Sequence, residues 1–224
     1  MGNLRARCAT VPREPPPRRT GHRPGGPEVM RKPSSAVWVI TAASLAYATL
    51  RYNVLKGVSW SDWPVFILNK GLALASLLVM AAWILGHRRS TDASEPALLA
   101  AASRLMLAHI GLSLAALSPV YFPAFFADGR LTWQAGTALA IGVAAAVALP
   151  VVSRPGRAHR SRLRGLGLIA FAAGCHAALF GYSSWFTPAA WPGSLPPITL
   201  VSFAAGLIGA FAAFNERLSE QDRS

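Results

Sequence analysis

Six long apolar runs dominate this chain, at about 36–55, 64–86, 97–120, 132–152, 165–186 and 196–214. A bilayer core about 30 Å thick needs roughly 20 mostly apolar residues per helix, and each run is close to that length. Only helices and closed barrels satisfy their own backbone in lipid, and runs of this length and uniformity suit helices. The links between them are short and rich in Pro, Gly, Trp and Arg. They leave no room for a separate soluble domain. The expected fold class is all-α: a polytopic membrane bundle of six transmembrane helices. Residues 36–214 form the membrane domain, 1–35 a basic, Pro-rich tail and 215–224 a short polar tail.

Composition enters through charge. Charged residues are 14% of the 224, far below the quarter usual in soluble domains. The net charge is nonetheless +13. In a soluble chain that balance would suggest nucleic acid, but the distribution points to a membrane and to no nucleic-acid partner. Arg5, Arg7, Arg13, Arg18, Arg19, Arg23, Arg31 and Lys32 precede the first run. Arg88 and Arg89 follow the second, and Arg154, Arg157, Arg160, Arg162 and Arg164 follow the fourth. Arg217 and Arg223 follow the sixth, whereas the alternate links hold only Lys56 and Arg130. The positive-inside rule places the first set in the cytoplasm, so both termini are expected there, in the inner (cytoplasmic) membrane. Trp60, Trp63, Trp133, Trp185 and Trp191 then fall on the outer side, with Trp38 and Trp83 near the inner one.

The first 28 residues lack an apolar core and are no signal peptide. Three readings stay open for them: an arm on anionic lipid, an unstructured extension, or a true start at Met30. Cys8 in this tail and Cys175 in the fifth run are unsuited to pairing with each other.

Ionisable groups inside membrane helices are costly and usually functional. The candidates are Arg51, Lys70, Arg104, His109 and His176. His109 lies about 12 residues into the third run, roughly 18 Å, and His176 about 11 into the fifth, roughly 16 Å. Both runs cross in the same direction, which sets the two imidazoles at one depth near the midplane. Two imidazoles on different helices at one depth suit bis-axial ligation of one b-type haem, with His109 and His176 as ligands to iron. Gly111, Gly174 and Gly181 offer close approach to a flat macrocycle or, equally, tight helix packing. The other reading is that each histidine bonds a neighbouring helix and holds no cofactor. Arg51, near the outer end of the first helix, and Lys70 can each reach a haem propionate or snorkel to head groups. Tyr52 and Asn53 can add hydrogen bonds there. Arg104 has the same two options on the inner side. His22, His87 and His159 fall in the tail and the cytoplasmic links, and are read as solvated.

"HIGLSLAALSPVYFP" (109–123), "GLGLIAFAAGCHAALFGYSSWFTPAAWPGSLPPI" (165–198) and "LRYNVLKGVSW" (50–60) together resemble the ferric-reductase-like transmembrane superfamily. That group includes eukaryotic iron reductases, NADPH oxidases and the haem-binding membrane subunit of bacterial methionine-sulfoxide reductase systems. The resemblance covers about 36–214 and implies six helices with His109 and His176 as haem ligands. Two-haem members carry a second histidine about thirteen residues along each ligand helix. Phe122 or Pro123, and Ala189 or Ala190, stand there, so one haem is expected. The family's basic, glycine-containing motif opening the third helix is replaced by "EPALLAAASRLML".

The expected function is therefore integral-membrane electron transfer through one b-type haem, as a possible oxidoreductase subunit. The chain ends about ten residues after the sixth run and carries no flavin or nicotinamide motif. Electrons would come from quinol or a separate redox partner protein. No nucleophile–base arrangement suggests hydrolysis, and nine acidic residues are too few for a buried proton relay. The alternative is a cofactor-free transporter or scaffold whose path is lined by Arg51, Asn53, Asn69 and Lys70. No inverted repeat between the halves supports transport.

Overall fold

Helices form where the apolar runs lie, and their ends are set by local chemistry. The structure, a computed structural model, describes residues 35–87, 96–154 and 156–215. All belong to one compact unit within Lys32–Ser224. The tails at 1–34 and 216–224, and most of the basic link after the second helix, lie outside the described residues.

Six α-helices follow in order: α1 (Ser35–Thr49), α2 (Leu68–His87), α3 (Pro96–Ala115), α4 (Trp133–Val152), α5 (His159–Gly181) and α6 (Ile198–Phe214). Five of them, α2 to α6 with their flanking turns, are long and apolar enough to cross a membrane. α1 is shorter and runs straight into a π-helical turn, Leu50–Leu55. Arg51, Tyr52 and Asn53 are all buried within that turn. A regular helix cannot bury three consecutive residues against one neighbour. The widened turn does so with help from the next loop, because Asn53 Nδ2 donates to the carbonyls of Val58 (3.0 Å) and Ser59 (3.2 Å).

α2 is the central post. It packs on α1, α3, α5 and α6, while α4 leans on α5. Val79, Met80, Trp83 and Ile84 of α2 meet Leu163, Leu166 and Ile169 of α5 in the main core. Trp83, expected at the inner interface, is 1% exposed and lies under the guanidinium of Arg162, 5.1 Å from its ring centre. α5 and α6 form the tightest pair. Gly167, Ala170 and Gly174 on one face Gly206, Ala210 and Ala213 on the other, so that backbone meets backbone.

Two ends of the bundle differ. At one, α4 and α5 are joined by the basic link holding Arg154 and Arg157. At the other, the α3–α4 link folds a small antiparallel hairpin, β1 (Phe126–Ala127) with β2 (Arg130–Leu131). The all-α reading did not include it. Asp128 and Gly129 both have positive φ, 50° and 73°, as a tight two-residue hairpin turn requires. The α5–α6 link, 182–197, runs across the same end in three short 3-10 turns.

A paired-histidine cavity as the candidate functional site

α3 packs along α2 but scarcely touches α4. The gap opens a cavity of about 250 Å³ toward the hairpin end, walled by α2, α3, α4, α5 and the first turn of α6. Its lining is mostly aliphatic and aromatic, including Leu117, Phe122, Phe125 and Phe180. The last two stack with ring centres 4.2 Å apart. Leu114 of α3 and Val143 of α4 also line it, yet are 57% and 58% exposed. The cavity therefore opens sideways, between α3 and α4, at an apolar rim.

His109 and His176 both line this cavity, with ring centres 6.5 Å apart and planes at 81°. α3 and α5 bring the two rings to one cavity, and each also bonds a neighbouring helix, as the cofactor-free reading expects. The depth count for the pair was partly wrong. α5 starts at His159, a basic turn earlier than the apolar run, so counting from the start overstates the match. Counting from the hairpin end restores it. His109 lies six residues before the end of α3 and His176 five before the end of α5. Both rings thus sit roughly 8–9 Å inside those helix ends, His109 closer to the middle of its helix and His176 closer to the end of its own.

Each ring is oriented by a carbonyl oxygen. His109 Nδ1 lies 2.6 Å from Asn69 Oδ1, and His176 Nδ1 lies 2.7 Å from the backbone carbonyl of Ala138. A carbonyl oxygen only accepts, so in both rings Nδ1 carries the proton. Nε2 is then the unprotonated nitrogen, the form that binds a metal. Neither Nε2 has a hydrogen-bond partner among the described residues. Asn69 is itself fixed, donating from Nδ2 to Ser113 Oγ at 2.9 Å. Gly142 of α4 backs the second ring; a Cβ there would lie 3.4 Å from His176 Nδ1.

No family model and no curated protein matches this chain. The residues themselves carry the reading.

The spacing bears directly on metal ligation. Two imidazoles sharing one metal through bonds of about 2.0–2.1 Å, with about 1.2 Å from each nitrogen to its ring centre, have ring centres at most roughly 6.5 Å apart. The observed separation of the ring centres falls within that reach. His109 and His176 would therefore be the residues to hold a haem iron, each through Nε2. No group of three or more His, Cys, Asp or Glu is gathered for a bare metal ion among the described residues.

The remaining candidates separate. Lys70 lines the cavity. Arg51 does not; it is 6% exposed and donates from a terminal guanidinium nitrogen to the carbonyl of Leu195, tying α1 to the lead-in of α6. Tyr47 donates to the neighbouring carbonyl of Pro196. Arg104 points outward from α3, away from the cavity. Gly174 and Gly181 face α6 rather than the cavity, and Gly111 has open space beside it. His87 and His159, read as solvated, approach each other at the basic end, with ring centres 6.3 Å apart and His87 stacked on Trp83. Sequence reasoning missed Ser113, Gly142 and the Ala138 carbonyl, and gave Asn69 only to the transport alternative. A buried amide in an apolar helix was the available signal, since such a group requires a partner.

Proposed function

We propose that the chain is a six-span membrane electron carrier of ferric-reductase-like type, holding one b-type haem between His109 and His176. The observation that carries this reading is the ring pair: ring centres 6.5 Å apart on one cavity, with both Nδ1 atoms committed to carbonyls and both Nε2 atoms available as donors. A protein-bound haem supplies a reversible one-electron iron couple. The chain's own residues do the rest. Asn69 and Ala138 hold the proton on Nδ1 and so keep Nε2 basic. The aliphatic and aromatic walls exclude water, which favours the less charged state of a buried centre. α1, with its π turn, completes a sixth crossing and leaves both termini at the basic, cytoplasmic end. The sideways opening between α3 and α4 suits a lipid-soluble reductant such as a quinol, and the basic end suits a separate redox protein.

The test is an absorption spectrum. The full chain, purified from cells supplied with haem, is expected to show a low-spin Soret and a sharp alpha band on reduction. A colourless preparation overturns the reading. His109→Ala and His176→Ala should each abolish the low-spin form, because both act on one iron. His87→Ala at the other end should leave the spectrum unchanged. Loss in only one of the two ligand variants would mean that another residue provides the second bond.

A further inference from the structure

We infer that the cavity is selective for an amphipathic anion, a molecule with an apolar body and an oxyanion group, with Lys70 as the counter-charge. This deepens the haem reading, since haem carries two carboxylates, but it stands on the lysine and the walls and not on iron.

Lys70 is the single charged residue among those that line the cavity, and no acid lines it. Its ammonium sits against two ring faces, 4.3 Å from the centre of Phe66 and 5.3 Å from that of Tyr52. Ring faces attract a cation but do not neutralise it. No hydrogen bond or ion pair meets this ammonium among the described residues. It is not alone. Lys56 Nζ lies 5.9 Å and the Arg51 guanidinium 5.8 Å from the same Tyr52 ring centre. Arg51 is buried, and its Nε has no partner. Three cations thus surround one ring.

Among the described residues no carboxylate pairs with them: Asp62 and Asp128 are the ones described, and neither meets any of the three. Lys70 brings this positive charge to the cavity wall, while buried Arg51 and exposed Lys56 flank the same ring outside the cavity, and like charges repel more strongly where burial lowers the dielectric. An anion removes that repulsion, whereas a cation adds to it. The rest of the cavity has no charge to offer, so the ligand's remaining bulk must be apolar. The site is therefore built for one acid head at the hairpin end and a greasy body beneath it. A haem carboxylate fits this chemistry, and so does the head of a single-chain lipid acid.

Matched pairs that differ only in charge test the idea on the full chain in neutral detergent. Protohaem is compared with its dimethyl ester, and oleic acid with oleyl alcohol, by equilibrium binding. The acid of at least one pair is expected to bind about tenfold tighter than its neutral partner or better. Lys70→Gln should shrink that preference to about threefold or less, and Lys70→Arg should keep it. Preference within the haem pair names the cofactor as the source of the acid; preference within the oleyl pair alone names lipid. Equal binding of acid and neutral partner in the parent protein overturns the inference, even if haem binds well. So does a preference that survives Lys70→Gln, or the failure of both acids to bind. Should neither haem form bind while oleate binds through Lys70, the haem reading fails and this one holds. If Lys70→Gln does not fold, the parent's acid-to-neutral ratio and Lys70→Arg still decide.

Discussion

Asn69 is 4% exposed and joins α2 to α3 through both His109 and Ser113. Its amide oxygen is the reason His109 keeps its proton on Nδ1. Asn69→Leu removes that acceptor and leaves a half-buried N–H without a partner, at a cost of about 1–3 kcal/mol. The expected outcome is a lower Tm and a mixture of His109 tautomers, read by nitrogen-15 NMR of labelled histidine. A tautomer unchanged in Asn69→Leu would remove Asn69 from this role. In the haem-loaded protein, Asn69→Asp should make the imidazole more basic and lower the midpoint potential, because a carboxylate is the stronger acceptor. A redox titration checks this. His176 offers no such handle, since its acceptor is the Ala138 backbone. The site was half legible for the same reason. Two histidines in apolar runs stand out in a sequence, but the groups that orient them are an amide on another helix and a main-chain carbonyl, which has no letter.

Hydropathy reports where a chain tolerates lipid, not where its backbone stops being helical. The apolar runs located α4 and α6 to within two residues, because Thr132 caps the first and Pro197 precedes the second. They misplaced the start of α5, where a basic turn continues the helix beyond its apolar part. They overran α3, which ends before Pro119 can disrupt it. The glycines show the same limit. Gly174 and Gly181 read equally as room for a macrocycle or as a packing face, and the fold packs both against α6. A Cβ on Gly206 would lie 2.4 Å from the Ala170 carbonyl oxygen, and one on Gly174 3.3 Å from the Phe203 backbone. Gly206→Val should therefore destabilise the bundle by about 1–3 kcal/mol or more, through forced separation of α5 and α6. Gly111→Ala, with open space around it, should be neutral or gain up to about 1 kcal/mol of helix propensity. Thermal unfolding in detergent compares the two, and equal Tm values would mean that the α5–α6 contact is not as close as described.

At the scale of the whole molecule, the crossing of α1 sets the topology. α1 is not among the five helices long and apolar enough to cross; it ends at Thr49, and Arg51 and Asn53 follow in the π turn. Those side chains are 6% and 5% exposed, so they face protein rather than lipid and do not count against a span. With its π turn, α1 runs from Ser35 to Leu55, about 30 Å at a helical rise, which matches the hydrocarbon thickness. Arg51 and Tyr47 then bind the carbonyls of Leu195 and Pro196 at the hairpin end, which anchors α1 alongside the five longer helices. A sixth crossing also leaves the dense N-terminal arginines on the same side as the α4–α5 link, as the positive-inside rule requires. Five crossings would put them on opposite sides. Cys8, in the N-terminal tail outside the described residues, is a natural reporter once Cys175 is replaced by Ser. A membrane-impermeant maleimide is expected to label Cys8 only after the membrane is opened. Arg130→Cys, in the hairpin, should label in intact spheroplasts of a chain lacking both native cysteines, and Arg157→Cys should behave as Cys8 does. Labelling of Cys8 from outside, with Arg157→Cys still protected, would reduce α1 to a helix that lies against the bundle without crossing.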